Sequence, residues 1–107
     1  MKITSAFLLV VIALSIASVV GAADDSKRAA RTKKLYDSYC FVCHGTGWQG
    51  APMTGNKNDW QGRMDNGWDV VLKNARVGLN AMPAKGTCEE CNDEDFRELV
   101  TMMLLEQ

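Results

Sequence analysis

An unbroken apolar run from Ala6 to Val20, preceded by Lys2 and followed by the small residues Gly21, Ala22 and Ala23, stands apart from everything after it. This pattern predicts a secretory signal peptide over 1–23, leaving one domain over 24–107. Ile3 to Val20 is also just long enough to cross a bilayer core, so an uncleaved anchor, and membrane association through it, is the alternative. Past Asp24 the apolar spacing becomes helical. Ser26 is a candidate N-cap, and Ala29, Ala30, Leu35 and Tyr36 make an apolar stripe on a helix that ends close to Cys40. Gly45, Gly47, Gly50, Pro52 and Gly55 then predict an irregular loop. A second helix is expected from about Asp59 to Met64, and a third from Asp69 to Val77 with Gly78 as its stop. Asn92 or Asp93 caps a final helix whose buried side carries Phe96, Leu99, Val100, Met103 and Leu104. No strand pattern, internal repeat or linker interrupts this order, so the fold class is all-α, with three to five helices.

The segment that joins the first helix to the loop carries the chemistry. Cys40-Phe41-Val42-Cys43-His44 sets two thiols three residues apart and an imidazole directly after them, the attachment signature of c-type haem. On a helical turn, residues i and i+3 share a face, which lets two sulfurs reach the two vinyl groups of one porphyrin while His44 falls under the iron. A zinc half-site or a redox dithiol is the competing reading of the two cysteines. Haem c is attached outside the bacterial cytoplasm, so the leader and the motif support each other and point to the periplasm.

Size and charge change this picture only slightly. Without the leader about 84 residues remain, a length at which a domain often needs a staple, and one covalently held haem supplies an apolar centre to pack around. Twelve Lys plus Arg stand against 13 Asp plus Glu, which gives no sign of nucleic-acid binding. The distribution is uneven: Lys27, Arg28, Arg31, Lys33 and Lys34 crowd the start of the mature chain, and Glu89, Glu90, Asp93, Glu94, Asp95 and Glu98 its end. These are two helix surfaces of opposite sign, either solvated or used for docking.

A sixth iron ligand is sought among the methionines, because a thioether is a normal partner to histidine in electron-transfer haem proteins. Met82 is the best candidate. It lies in a loop between two helices, where Pro83 holds its backbone extended and lets the side chain turn inward. Met102 and Met103 have the spacing of core residues, Met53 follows Cys43 too closely to reach the far side of a haem, and Met64 is a weak alternative.

These residues together resemble the small bacterial class I cytochromes c, and most closely the c5 type, from about Ala30 to Met103. The shared pieces are Leu35-Tyr36, the CxxCH motif, Gly50-Ala51-Pro52, Trp60 with Arg63, the run from Val77 to Pro83, and Cys88-Glu89-Glu90-Cys91 followed by Asp93-Glu94-Asp95-Phe96. The resemblance implies a small class I fold wrapped around one haem c bound through Cys40 and Cys43, with His44 and Met82 as axial ligands. It implies that the Pro52 carbonyl orients His44, and that Trp60 and Arg63 lie near the haem propionates. It further implies outer-sphere electron transfer rather than enzymatic turnover, in a respiratory chain between a quinol-oxidising cytochrome complex and a terminal oxidase or reductase. One departure is Thr32, where family members usually carry glycine to let the terminal helices cross closely.

Cys88 and Cys91 have a reading of their own. In an oxidising compartment two neighbouring thiols are expected to pair, so a disulfide holds the bend between the Met82 loop and the last helix. The alternatives are a zinc site built from all four cysteines, for which 44 residues between Cys43 and Cys88 is an unusual spacing, and a thiol oxidoreductase. For the protein as a whole, the second reading is a ligand-binding haem protein, peroxidase-like or gas-sensing, in which Met82 is displaced and the sixth position is open.

Overall fold

The structure is a computed structural model that describes residues 21–105. The expected leader therefore lies outside the described residues as far as Val20. The described residues fall into two units that divide between Arg31 and Thr32. In the first, residues 21–31 are helical and exposed. Ser26 lies inside this helix and is not its N-cap, because Ala22 and Ala23 are strong helix formers that carry the helix past it. Ala29 and Ala30 are exposed and do not belong to the buried stripe. A methyl group offers little area to bury, so the larger Leu35 and Tyr36 decide which face turns inward.

The second unit contains everything that the motif needs. Helical residues 32–35 run into a π-helical turn, Tyr36–Cys40, and then into the short helix α1, Phe41–His44. Thr32, Leu35 and Tyr36 form the buried face of this stretch. The loop that follows holds one 3-10 turn, Trp48–Gly50, and leads to α2, Lys57–Met64. Helix α2 starts two residues earlier than the apolar pattern suggests, because the Asn56 side chain accepts from the backbone N–H groups of Asn58 and Asp59 at 3.1 and 3.3 Å. Helix α3, Trp68–Val77, ends at Gly78, whose φ of 88° carries the chain into a bend.

A second 3-10 turn, Ala84–Thr87, precedes α4, Asp93–Leu105. Asn92 is the residue that caps α4. Its Oδ1 accepts from Asp95 N at 2.9 Å, and Asp95 Oδ2 accepts from Asn92 N at 3.0 Å, a reciprocal pair that satisfies two backbone donors. Four side chains of α4, Phe96, Leu99, Val100 and Met103, are buried against Leu35, Tyr36, Trp60 and the inner face of α3, while Leu104 is half-buried. Each contributes about 1.5–3 kcal/mol by leaving water. Helix α3 packs on α2, on α4 and on the Ala84–Thr87 turn, so it fixes the loop after Gly78 relative to the rest of the unit. Among the described residues the only β interaction is an isolated bridge between Leu79 and Met82.

Candidate haem-attachment site

The π-helical turn widens the helix just before the motif, with Phe41 N bonding back to Tyr36 O across one extra residue. Cys40 and Cys43 follow as unpaired, partly buried thiols. Burial, with Cys43 beside it, pushes the Cys40 thiol up to about 11. A dithiol oxidoreductase needs the opposite, a thiol held as thiolate at neutral pH. Gly45 follows α1 where a larger residue would force its neighbours to shift: a Cβ at that position would lie 2.5 Å from the Phe41 ring and 2.7 Å from its carbonyl oxygen.

His44 is buried, at 9 % exposure, and is held at both ends. Its Nδ1 donates to Pro52 O at 2.9 Å, and its own carbonyl oxygen accepts from Thr54 N at 2.8 Å. The first bond places the ring proton on Nδ1 and leaves the lone pair of Nε2 for a metal. Burial lowers the pKa of His44 from its ordinary 6.5; the Pro52 bond opposes this, and the charge of Arg63 adds to it. The imidazole is therefore neutral, as a ligand must be.

Trp60 lies alongside, with its ring centroid 6.0 Å from that of His44 and the planes 21° apart. Its Nε1 donates to Met53 O at 2.9 Å, so the indole donor is used within the protein. Arg63 is exposed on α2, and its guanidinium donates to the Asp59 carbonyl. Thr54 completes the segment: its hydroxyl and that of Tyr36 are 2.7 Å apart, and Gly55 N donates to Met103 O at 2.8 Å. Residues 52–55 thus form a strap tied to α1, α2, α4 and the π-helical turn. The glycines and proline predict a loop here, yet nothing in the pattern shows that it is tied down by Tyr36, by Thr54 and by Asp59, whose Oδ2 accepts from Met53 N at 3.1 Å.

Met82 sits in a turn closed by two backbone bonds, Leu79 N to Met82 O at 3.0 Å and Met82 N to Leu79 O at 2.9 Å. Asn80 occupies the left-handed region with φ of 52°, a conformation that asparagine tolerates better than most residues. Gly78 lies directly behind: a Cβ there would meet Met82 O at 2.8 Å and Ala84 N at 3.0 Å. The Met82 side chain is half-buried against the core.

Cys88 and Cys91 are joined by a disulfide and buried, at 1 % and 5 % exposure. Their loop is tied to the motif, since the Tyr39 hydroxyl donates to Glu90 Oε1 at 3.0 Å. The disulfide removes two of the four sulfurs a zinc site would require. No group of three or more His, Cys, Asp or Glu able to hold a metal ion exists among the described residues.

The donor set fits haem c. Two unpaired thiols lie on one helical stretch, the adjacent imidazole presents Nε2, and a thioether is held in a rigid turn next to the core. Large apolar side chains remain open to solvent around these residues, including Leu79 at 47 % and Phe41 at 50 % exposure.

The comparisons with known proteins agree with this fit. Residues 27–103 match the family described as cytochrome c oxidase, cbb3-type, subunit III. The chain is 45 % identical to cytochrome c5 of Ectopseudomonas mendocina over 67 residues, covering 61 % of this chain and 77 % of that one. Among solved structures, a mono-haem ferrocytochrome c from Shewanella putrefaciens superposes with a TM-score of 0.63 at 38 % identity, covering 71 % of this chain and 94 % of the other. A chain from the electron-transfer complex of nitrite reductase with cytochrome c gives a TM-score of 0.62 at 34 % identity, covering 68 % and 89 %. Matches of this extent show the family, and this chain belongs to the c-type cytochromes as a class I member close to cytochrome c5, with one covalently bound haem c.

Proposed function

We propose that the protein is a monohaem electron carrier of the periplasm, with His44 and Met82 as axial ligands, serving a respiratory chain rather than catalysing a reaction of its own. The observation that carries this reading is the fixed orientation of His44, whose Nδ1–H is held by Pro52 so that Nε2 is presented beside two unpaired thiols. When bound, haem c supplies a one-electron Fe(II)/Fe(III) couple. Cys40 and Cys43 hold it by thioether bonds, and the strap of residues 52–55 keeps the His44 ring in one orientation in both oxidation states. The Leu79–Met82 turn, backed by Gly78, holds the second ligand with little freedom to move. A site that moves little between the two states has a small reorganisation cost, which favours rapid electron transfer over substrate binding. Residues 1–23 act as the export leader, residues 24–107 form the haem domain, and the Cys88–Cys91 disulfide steadies the bend after the Met82 turn.

Arg63, with donors beyond the one used on Asp59, is the residue to meet a propionate. The partners are redox proteins: a quinol-oxidising cytochrome complex as donor and a terminal oxidase or reductase as acceptor. The nitrite reductase complex among the structural neighbours supports a partner of that kind. No described helix is long and apolar enough to cross a membrane.

Substituting Met82→Ala tests the ligand assignment. Wild-type protein purified from a haem-c-attaching host is expected to be low-spin and indifferent to added imidazole and carbon monoxide. The variant is expected to lose the weak sulfur-to-iron band of the oxidised form and to bind both ligands. A wild type that is already high-spin would favour the gas-sensing or peroxidase-like reading.

A further inference from the structure

The peptide group that orients His44 is gripped on its other side by a carboxylate. Pro52 C=O and Met53 N–H belong to one planar amide. The oxygen of that amide accepts from His44 Nδ1 at 2.9 Å, and its N–H donates to Asp59 Oδ2 at 3.1 Å. The next carbonyl, that of Met53, accepts from Trp60 Nε1 at 2.9 Å. Asp59 and Trp60 are consecutive residues of α2, so one turn of one helix fixes the Met53 backbone from both directions.

We propose that Asp59 is a positioning residue that acts on His44 through the Pro52–Met53 peptide bond. The inference rests on His44 being the axial histidine. Hydrogen bonds in a chain polarise one another, and a charged acceptor strengthens the chain more than a neutral one. With a carboxylate on its N–H, the amide becomes a stronger acceptor at its oxygen and draws the Nδ1 proton of His44 more firmly. The ring becomes a better electron donor at Nε2, which favours the ferric state and lowers the reduction potential. The arrangement is a histidine–carboxylate pair of the kind that tunes metal ligands, with one peptide group inserted between the partners. Asp59 also sits at the start of α2, where its charge favours the helix; the variants below separate that role from the relay.

The test compares Asp59→Ala, Asp59→Asn and Asp65→Asn in the haem-loaded protein. Asp65 is an exposed carboxylate at the other end of α2 and controls for charge at a distance. Two quantities are read: the reduction potential, and the NMR shift and solvent-exchange rate of the His44 Nδ1 proton. Asp59→Ala is expected to raise the potential and to speed exchange of the ring proton by up to about twofold, since the Nδ1–Pro52 bond persists and loses only the polarisation of about 10–30% that the carboxylate relays to it. Asp59→Asn keeps an acceptor without the charge and is expected to fall between Asp59→Ala and wild type in both readings. Asp65→Asn is expected to leave the ring proton unchanged.

A ring proton unmoved in Asp59→Ala, or equal potentials in Asp59→Ala and Asp59→Asn with no change at the ring, would overturn the relay and leave only a distant charge. Wild-type oxidised protein in which the His44 ring shows no paramagnetic shift would instead overturn the ligand assignment beneath it. That outcome is read before any variant is made, so the two failures are distinguishable.

Discussion

Tyr39 shows how one side chain links two parts of the site. Its hydroxyl donates to Glu90, and this bond, helped by the Glu90 charge, holds its pKa above the ordinary 10.0. The folded state therefore favours the protonated phenol. The stability this adds is complete below the ordinary value and is lost as pH rises through the raised one. Denaturant midpoints of wild type and Tyr39→Phe are expected to differ at neutral pH and to converge at strongly alkaline pH; a gap independent of pH would remove the bond from the energetics. Residues at this scale divide sharply in how legible they are. Cys40, Cys43 and His44 are plain because the chemistry demands a fixed local spacing, whereas the proposal of Met82 as a ligand rests on its loop and Pro83 and awaits its test. Asp59, Thr54 and the Tyr36 hydroxyl carry no such mark, since what they do depends on a strap that the fold brings to them from elsewhere.

The elements follow the apolar spacing where large side chains set it. Helix α3 lies within a residue of its expected span and α4 begins directly after an expected cap, because Val71, Leu72 and Ala75 on one and Phe96, Leu99, Val100 and Met103 on the other leave one rotation possible. The pattern fails where small residues or hydrogen bonds decide. Ala29 and Ala30 read as core and are exposed, and α2 begins after the Asn56 cap rather than at the expected Asp59. The π-helical turn before Cys40 has no signature in the sequence, since an inserted residue in a helix changes no local preference. The turn that presents Met82 depends on Gly78, which combines a φ of 88° with the closest backbone approach in the loop, 2.8 Å from a built Cβ to Met82 O. Substituting Gly78→Ala is expected to cost at least about 1–3 kcal/mol from the backbone conformation alone. Equilibrium unfolding of the haem-loaded protein measures this, and a variant as stable as wild type would show that the turn has room to relax.

For the whole molecule, a domain of this size has a small apolar core, and the covalent haem and the disulfide add to it. Asp93 pairs with Arg76 at 2.8 Å, Glu89 with Lys85 at 3.5 Å and Lys33 with Asp37 at 2.7 Å, all exposed, and such pairs contribute about 0–1 kcal/mol each. The acidic stretch around residues 89–98 has two readings, a solvated surface or one that steers a partner of opposite charge, and steering carries a salt dependence. Electron transfer to the physiological acceptor is expected to slow steadily as ionic strength rises from 0.01 to about 0.2 M, as the screening length shortens. Stopped-flow rates indifferent to salt would assign that face to solvation only. The fold class was legible because helical spacing and absence of strands leave few choices; the partner was not, because a transient encounter leaves no residue pattern as strict as a covalent attachment site.

The most direct test of His44 and Met82 ligation is an NMR spectrum of the reduced protein with methionine methyl groups labelled, recorded for wild type and for Met82→Leu. A methyl group bound at the iron lies over the porphyrin face and is shifted far upfield by its ring current. One such resonance is expected in the wild type and none in Met82→Leu, with the Met53, Met64, Met102 and Met103 signals near their ordinary positions in both. No upfield methyl in the wild type, or one that survives the substitution, would contradict the assignment of Met82 as the second axial ligand.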